Sequence, residues 1–304
     1  YNVTGTNNTY IGRYAGLGAS NESNSGNTGV GKDALLSITD GTNNVAVGMG
    51  AGDSITTGDY NVFLGQGAGA ATTDVDFAIL IGQGAGGGGN IEAGADKTIA
   101  IGGDALLALT SGEQNIAIGY QALAANTTGG NNTMIGYQAG VAANDSSFDG
   151  NVGVGNFVFD GVASGVDATQ NVAVGYAALS GTMVDASDNN TAIGFKAGNV
   201  ITSGAENVLI GSEAGVAMTT NGWNVAIGRE VLKAADGGEN FNVAIGLGAM
   251  QTANHADFDS NIAIGAYALD ATSTNAQTGT IAIGHQALTA LTSGAGNVAI
   301  GYES

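Results

Sequence analysis

The hydrophobic pattern of this chain is one short burst, repeated from end to end. A branched aliphatic residue, a small residue and a second branched aliphatic residue precede a glycine, as in Ile116-Ala117-Ile118-Gly119 and Val225-Ala226-Ile227-Gly228. Taking that glycine as an anchor gives 17 copies from Gly12 to Gly301, spaced by 17 to 20 residues without a break. Counting from the anchor, position −3 is Val, Ile or Thr in every copy, and position −1 is Ile, Val or Leu in every copy. Position −2 is Ala in ten copies and Gly in two, with Tyr10, Phe63, Leu80, Met134 and Leu209 in the other five. Asn stands at −4 in 14 copies. Of the 16 complete copies, 14 have Ala at +3, and Leu and Gly take seven copies each at +4.

Alternation with a period of two over four or five residues marks a β-strand. An interval of 17 to 20 residues leaves room for about two short strands and two turns. Helical repeats need about 33 residues or more and a 3.6-residue period, which is absent. The pattern therefore predicts an all-β chain folded as a β-solenoid with one coil per repeat, a single continuous repeat domain over residues 1–304. At about 4.8 Å per coil it would form a rod of about 75–80 Å. Stacked Asn side chains at −4 are expected to form amide ladders between coils. The anchor glycine implies a tight corner or a close approach of another backbone. The triplets Thr110–Gly112, Thr127–Gly129, Thr202–Gly204 and Thr292–Gly294 mark the opposite turn.

From −3 to the anchor no copy carries a charge. A strand with one face in water should alternate apolar and polar residues, and these strands are apolar on both faces. A coil this narrow covers only one of them. The other is expected to meet a second chain, with the small Ala/Gly side allowing the close approach, in a homo-oligomer wound about the rod axis as a homotrimer. Charges are expected on a solvated outer edge, with Arg13, Lys32 and Arg229 at +1 and Asp33, Asp104, Lys196, Glu213 and Glu230 at +2.

Composition then narrows the function. With 26 acidic and 6 basic residues the formal charge is −20, which argues against nucleic acid or an anionic membrane as a partner. The absence of Cys excludes disulfides, thiolate zinc sites and cysteine catalysis. The 54 glycines follow no three-residue period and are accompanied by no Pro, so collagen is excluded. No apolar run approaches the roughly 18 residues of a membrane span, and no signal peptide is present. The chain opens on Tyr1 rather than Met, as expected of a processed chain or a piece of a longer one.

Asn115–Leu123 and Asn171–Leu179 read Asn-Ile-Ala-Ile-Gly-Tyr-Gln-Ala-Leu and Asn-Val-Ala-Val-Gly-Tyr-Ala-Ala-Leu. Held in register from Asn8 to Tyr302, this motif resembles the head repeats of YadA-like trimeric autotransporter adhesins, and it is similar to the repeat arrays of bacterial and phage tail-fibre proteins. The resemblance implies a left-handed β-roll, homotrimeric, in an extracellular fibre at a cell surface or on a virion, whose task is reach and adhesion. It supplies no catalytic residue. The coils here are longer and more uneven than the family's, and the sequence shows no stalk, membrane anchor or self-cleaving chaperone domain.

Candidate chemistry is sparse. Gly84–Gly89 satisfies the dinucleotide fingerprint, but that chemistry needs a following helix, and the segment reads as a glycine-rich repeat turn. His255 stands near Asp257 and Asp259, a candidate for metal binding set against a solvated loop, while His285 occupies the column of Tyr120. The pairs Asp74/Asp76, Asp145/Asp149, Asp185/Asp188 and Asp257/Asp259 bring hard oxygen ligands close enough for loop-bound calcium, though no loop has the EF-hand pattern. No other cofactor is expected. Aromatic residues recur in two columns: Tyr120/Tyr137, Tyr176/Phe195 and His285/Tyr302 at +1, and Tyr60/Phe77 and Trp223/Phe241 at −5. Each pair should stack about 5 Å apart. Ladder packing is the plain explanation. The functional one makes Tyr120, Tyr137, Tyr176, Phe195, Trp223 and Tyr302 contacts for a cell-surface glycan or receptor. Asn-x-Ser/Thr sequons occur at Asn21, Asn126 and Asn144, as an Asn- and Thr-rich chain produces by chance. The expected function is a structural or adhesive fibre segment without enzyme activity, since no carboxylates converge as a glycan hydrolase would need. The alternative is a self-assembling extracellular filament subunit stacking end to end through uncapped solenoid edges.

Overall fold

The computed structural model describes residues 5–18, 23–91, 95–144, 147–163, 165–184, 187–270 and 276–304. Tyr1, Asn21, Asp145 and Asp185, singled out above, lie outside the described residues. The fold is all-β, a parallel β-solenoid, with no α-helix among the described residues. It divides into two compact units, Tyr1–Asn151 and Val152–Ser304.

The first unit stacks β1 (Thr9–Ile11), β2 (Thr28–Val30), β3 (Val45–Val47), β4 (Val62–Leu64), β5 (Ile79–Ile81), β6 (Ile99–Ile101), β7 (Ile116–Ile118) and β8 (Thr133–Ile135). Each strand pairs in parallel with the next, and position −3 lies opposite position −3, as in Thr28↔Val45. The second unit repeats the arrangement through β9 (Val152–Val154), β10 (Val172–Val174), β11 (Thr191–Ile193), β12 (Val208–Ile210), β13 (Val225–Ile227) and β14 (Val243–Ile245). It continues through β16 (Ile262–Ile264), β18 (Ile281–Ile283) and β19 (Val298–Ile300), while β15 (Phe258–Asp259) and β17 (Gln277–Thr278) form a separate pair.

With that one small exception, each coil holds one strand of three residues, not the two strands for which its length has room. The wall opposite the strand is built of turns whose backbone still bonds from coil to coil. Asp33 N donates to Arg13 O of the preceding coil at 2.9 Å, and Leu35 N donates to Ala51 O of the following coil at 3.0 Å. Left-handed residues at +2 and +4 permit this reversal of direction, with φ of 60° at Asp33 and 52° at Leu35. At the anchor the φ values lie between 131° and 147°, a region only glycine occupies without strain. A Cβ added at Gly211 would also stand 2.3 Å from Gly228 O, so the anchors stack backbone on backbone.

The two faces of the strand lie opposite to expectation. The small residues at −2 point into the coil: Ala46, Ala100 and Ala117 are fully buried. They meet the equally buried alanines at +3, such as Ala34, Ala51 and Ala68. The Val and Ile side chains at −3 and −1 point outward, Val45 and Val47 being 36% and 41% exposed. The reason is room: two walls this close leave space between them for one methyl from each, and branched side chains there would overpack the coil. Where a large residue does enter at −2, glycine stands at +4 to receive it. A Cβ at Gly69 would lie 2.6 Å from the Phe63 ring, one at Gly86 2.8 Å from Leu80, and one at Gly140 would press on Leu123 and Met134. Gly52 and Gly198, in coils whose own −2 residue is Ala, are filled from the next coil by Phe63 and Leu209.

The Asn column is the ladder the sequence predicts. Asn44 Nδ2 donates to Gly58 O at 2.7 Å, its Oδ1 accepts from Asn61 N at 2.9 Å, and its own N donates to Asn27 Oδ1 at 2.8 Å. The same bonds link Asn190, Asn207 and Asn224 in the second unit. Ala78, Thr98 and Thr280 interrupt the column, and the buried hydroxyl oxygens of the two threonines have no partner. Replacing Thr98 by Asn should restore the link to Asn115 and raise the thermal midpoint. Asn207→Ala, which orphans buried amide and carbonyl groups, should cost about 2–4 kcal/mol, and Gly211→Ala at least as much. Thermal denaturation followed by circular dichroism reads all three; a Thr98→Asn chain that melts lower than the parent would refute the ladder account.

Candidate interaction face

In each unit the outward sides of the strands join with their two flanks into a face. Positions −3 and −1 form the centre, and positions −5 and +1, separated from the centre by the buried Asn and the anchor glycine, form the edges. Exposed apolar side chains concentrate here. In the first unit eight of the ten large ones belong to this face, and in the second unit twelve of fourteen. All the described −5 and +1 aromatic pairs stack as the sequence predicts. Ring centroids lie 5.1 Å apart for Tyr60–Phe77, 5.5 Å for Tyr120–Tyr137, 5.7 Å for Tyr176–Phe195, 5.1 Å for Trp223–Phe241 and 5.2 Å for His285–Tyr302, all within 19° of parallel.

This geometry bears directly on the candidate glycan contacts. A sugar packs on the flat of an aromatic ring, and in each stacked pair one flat of each ring is taken by the other. Tyr176 gives up more of its surface, since Phe157 packs edge-on against it with centroids 5.6 Å apart. The rings turn their rims outward, so Tyr120, Tyr137, Tyr176, Phe195, Trp223 and Tyr302 form two rails of ring edges, not one open platform. Tyr60, Phe77 and Phe241, which the sequence reading left out of the candidate set, stand in equivalent places at 53%, 53% and 56% exposure. The recurrence of aromatics at −5 was the signal for them.

Several loop acids have backbone work. Asp59 Oδ1 accepts from Thr42 N at 2.6 Å, Asp76 Oδ1 from Asp59 N at 2.7 Å and Asp96 Oδ1 from Asp76 N at 2.9 Å, a carboxylate ladder at −6. Asp188 and Asp259 serve Thr169 N and Asn240 N in the same way, both at 2.7 Å. Asp76, Asp188 and Asp259, each one member of an acidic pair, thus turn an oxygen to a neighbouring amide. His255 Nδ1 accepts from Asp257 N at 3.1 Å, and among the described residues no group of three or more His, Asp or Glu side chains is placed to hold a metal ion. Glu239 departs from the expected solvated edge. It is fully buried, with Oε2 accepting from Asn221 Nδ2 at 2.5 Å and from Gly237 N at 3.1 Å. Asn126, one of the sequons, is also buried, its amide closed onto Gly129 by bonds of 2.8 Å and 3.0 Å, so it is no glycan acceptor. Gly84–Gly89 is a turn with no α-helix after it among the described residues.

Compared with known proteins, the chain matches no family model and no curated sequence.

Three carboxyls at +5 are perturbed in one direction. Burial pushes Asp53, Asp160 and Asp270 above the usual carboxylate value, with the charge of Asp33 adding to the effect at Asp53. Each then holds a proton more tightly folded than unfolded. Its contribution to stability is greatest where it is protonated, and falls as the pH rises from the usual carboxylate range through the raised folded value. Asp270→Asn should therefore raise the thermal midpoint at neutral pH, and the gain should shrink as the pH approaches about 4. Melting curves at the two pH values decide it; an equal or larger gain in acid contradicts the assignment.

Proposed function

We propose that this chain is a non-catalytic segment of an extracellular fibre, a left-handed homotrimeric β-roll carried at a cell surface or on a virion, giving reach and a surface for attachment. The observation that carries the reading is the outward Val/Ile face. A strand centre without a single charge, on a chain of net charge −20, is what a surface covered by another copy requires. The resemblance of Asn115–Leu123 and its companions to adhesin head and tail-fibre repeats supports the trimer, the handedness and the extracellular setting. A reading without enzyme activity accords with loop acids that serve backbone amides and with aromatic rings that serve one another.

Light scattering across a dilution series tests the reading. The expected result is a constant mass of about three chains of 29.6 kDa each. A stable single chain at all concentrations would overturn the trimer, and a mass that grows with concentration would replace it with end-to-end stacking.

A further inference from the structure

The sequence Asn-x-Thr recurs at one place in the coil. Position −5 is Asn in four of the 17 copies, and position −3 is Thr in four. Independent choice would join the two about once, yet they coincide in three coils, as Asn7-Asn8-Thr9, Asn131-Asn132-Thr133 and Asn189-Asn190-Thr191. The chain's own packing does not demand the pairing. The left-handed turn at −5 also holds Tyr60, Lys97, Gln114 and Glu206, so it does not require Asn. Val or Ile fills −3 in the other 13 copies, so the strand does not require Thr. Among the described residues no hydrogen bond joins the amide of Asn7, Asn131 or Asn189 to the hydroxyl two residues on; Asn131 Nδ2 donates instead to Asp149 Oδ1 at 3.2 Å, on the exposed surface.

An Asn-x-Thr sequence can serve as a sugar acceptor only where the folded chain has room for a bulky group on the amide. The coil separates the two asparagines of each triplet on this point. The second is spent on the ladder: Asn8 Nδ2 donates to Asn24 O, Asn132 Nδ2 to Phe148 O and Asn190 Nδ2 to Gly204 O, each at 2.8 Å. The first is turned the other way. Asn7, Asn131 and Asn189 are exposed, at φ of 63°, 57° and 58°, on the edge of the outward face. Their neighbours in the −5 column are Gly26 for Asn7, Gln114 and Gly150 for Asn131, and Gln170 and Glu206 for Asn189, so no aromatic ring stacks over any of them. A sugar replaces one of the two amide hydrogens, and Asn131 keeps the other for Asp149.

We propose that Asn7, Asn131 and Asn189 are acceptors of N-linked sugar, with Thr9, Thr133 and Thr191 completing the acceptor sequence. The donor is a sugar activated at C1 through a diphosphate. Nδ2 attacks C1, the N–C1 bond forms, and the C1–O bond breaks. The diphosphate leaves with the bonding electrons, and the amide gives up one proton. Each modified coil then carries a hydrated group at the rim of the apolar Val/Ile centre. The inference rests on no oligomeric state; it requires only that the −5 edge of these three coils lie clear of any contact between copies.

The test co-expresses the full chain with an asparagine glycosyltransferase that uses a nucleotide-activated hexose. Folded, soluble chain is separated from aggregate, and peptide mass spectrometry maps the hexose in both fractions. In the folded fraction Asn7, Asn131 and Asn189 should carry hexose at least tenfold more often than the buried Asn126, whose modified copies should collect in the aggregate. Thr9→Val, Thr133→Val and Thr191→Val together install the commonest residue of the −3 column, so they should remove all three sugars and leave the circular dichroism unchanged. Equal occupancy of Asn126 in the folded chain would overturn the proposal. So would confinement of the three modifications to the aggregate, or bare asparagines at all three sites in both fractions. Light scattering keeps this result apart from the fibre reading. A multi-chain mass for both unmodified and modified protein supports the clear edge, and a multi-chain mass lost only on modification overturns it. A single-chain mass in both refutes the oligomer and leaves the acceptors standing.

Discussion

Narrowness is the constraint on which the rest of this structure depends. The strand wall and the turn wall approach so closely that alanine faces alanine between them, at Ala46 and Ala51 or Ala117 and Ala122. Methyl groups bury little area each, so the cross-section of a coil contributes modest hydrophobic stabilisation. Cohesion has to come from the stacking direction instead. Coil-to-coil backbone bonds supply most of it, and the buried Asn column adds amide bonds worth about 0.5–1.5 kcal/mol each. Because an Asn such as Asn44 or Asn207 is bonded to the coil on either side, a lost member leaves buried backbone groups unsatisfied in its neighbours as well as its own contacts broken.

The same narrowness explains the rest of the local chemistry. Tight walls need backbone reversals without bulk, hence the left-handed residues at −5, +2 and +4 and the glycine-only anchor. They also turn large interior residues into paired events, a ring at Phe63 requiring Gly52 and Gly69. Carboxylates at Asp59, Asp76 and Asp96 extend the ladder principle to the next column, trading a solvated charge for a backbone amide. Acidity in this chain is thus partly structural.

Narrowness also expels the branched side chains. Val, Ile and Leu at −3 and −1 have nowhere to go but outward, where they form a surface better suited to another protein than to water. The aromatic edges follow from stacking at coil spacing, which satisfies ring faces along the coil direction and leaves rims free at the sides. The exposed apolar face and the fold are therefore two results of one geometric fact: a wall thin enough to be held by ladders is too thin to hide its own hydrophobic residues.

Repeat length, strand identity, the Asn ladder, the stacking of Tyr120 on Tyr137 and the glycine corners were determined by the sequence alone, because each depends on what recurs at one position of a fixed period. Residues that recur in register must stack, whatever the coil's cross-section. The direction in which a side chain points across the strand was decided by the tertiary structure. Period two says that Ala46 and Val47 face opposite ways, and only the distance between the two walls says which of them is inside. The single strand per coil, the burial of Glu239 and Asn126, and the amide-binding roles of Asp76 and Asp259 belong to the same class. Each depends on how the turns bring one column against another, a separation across the coil that no pattern along the chain encodes.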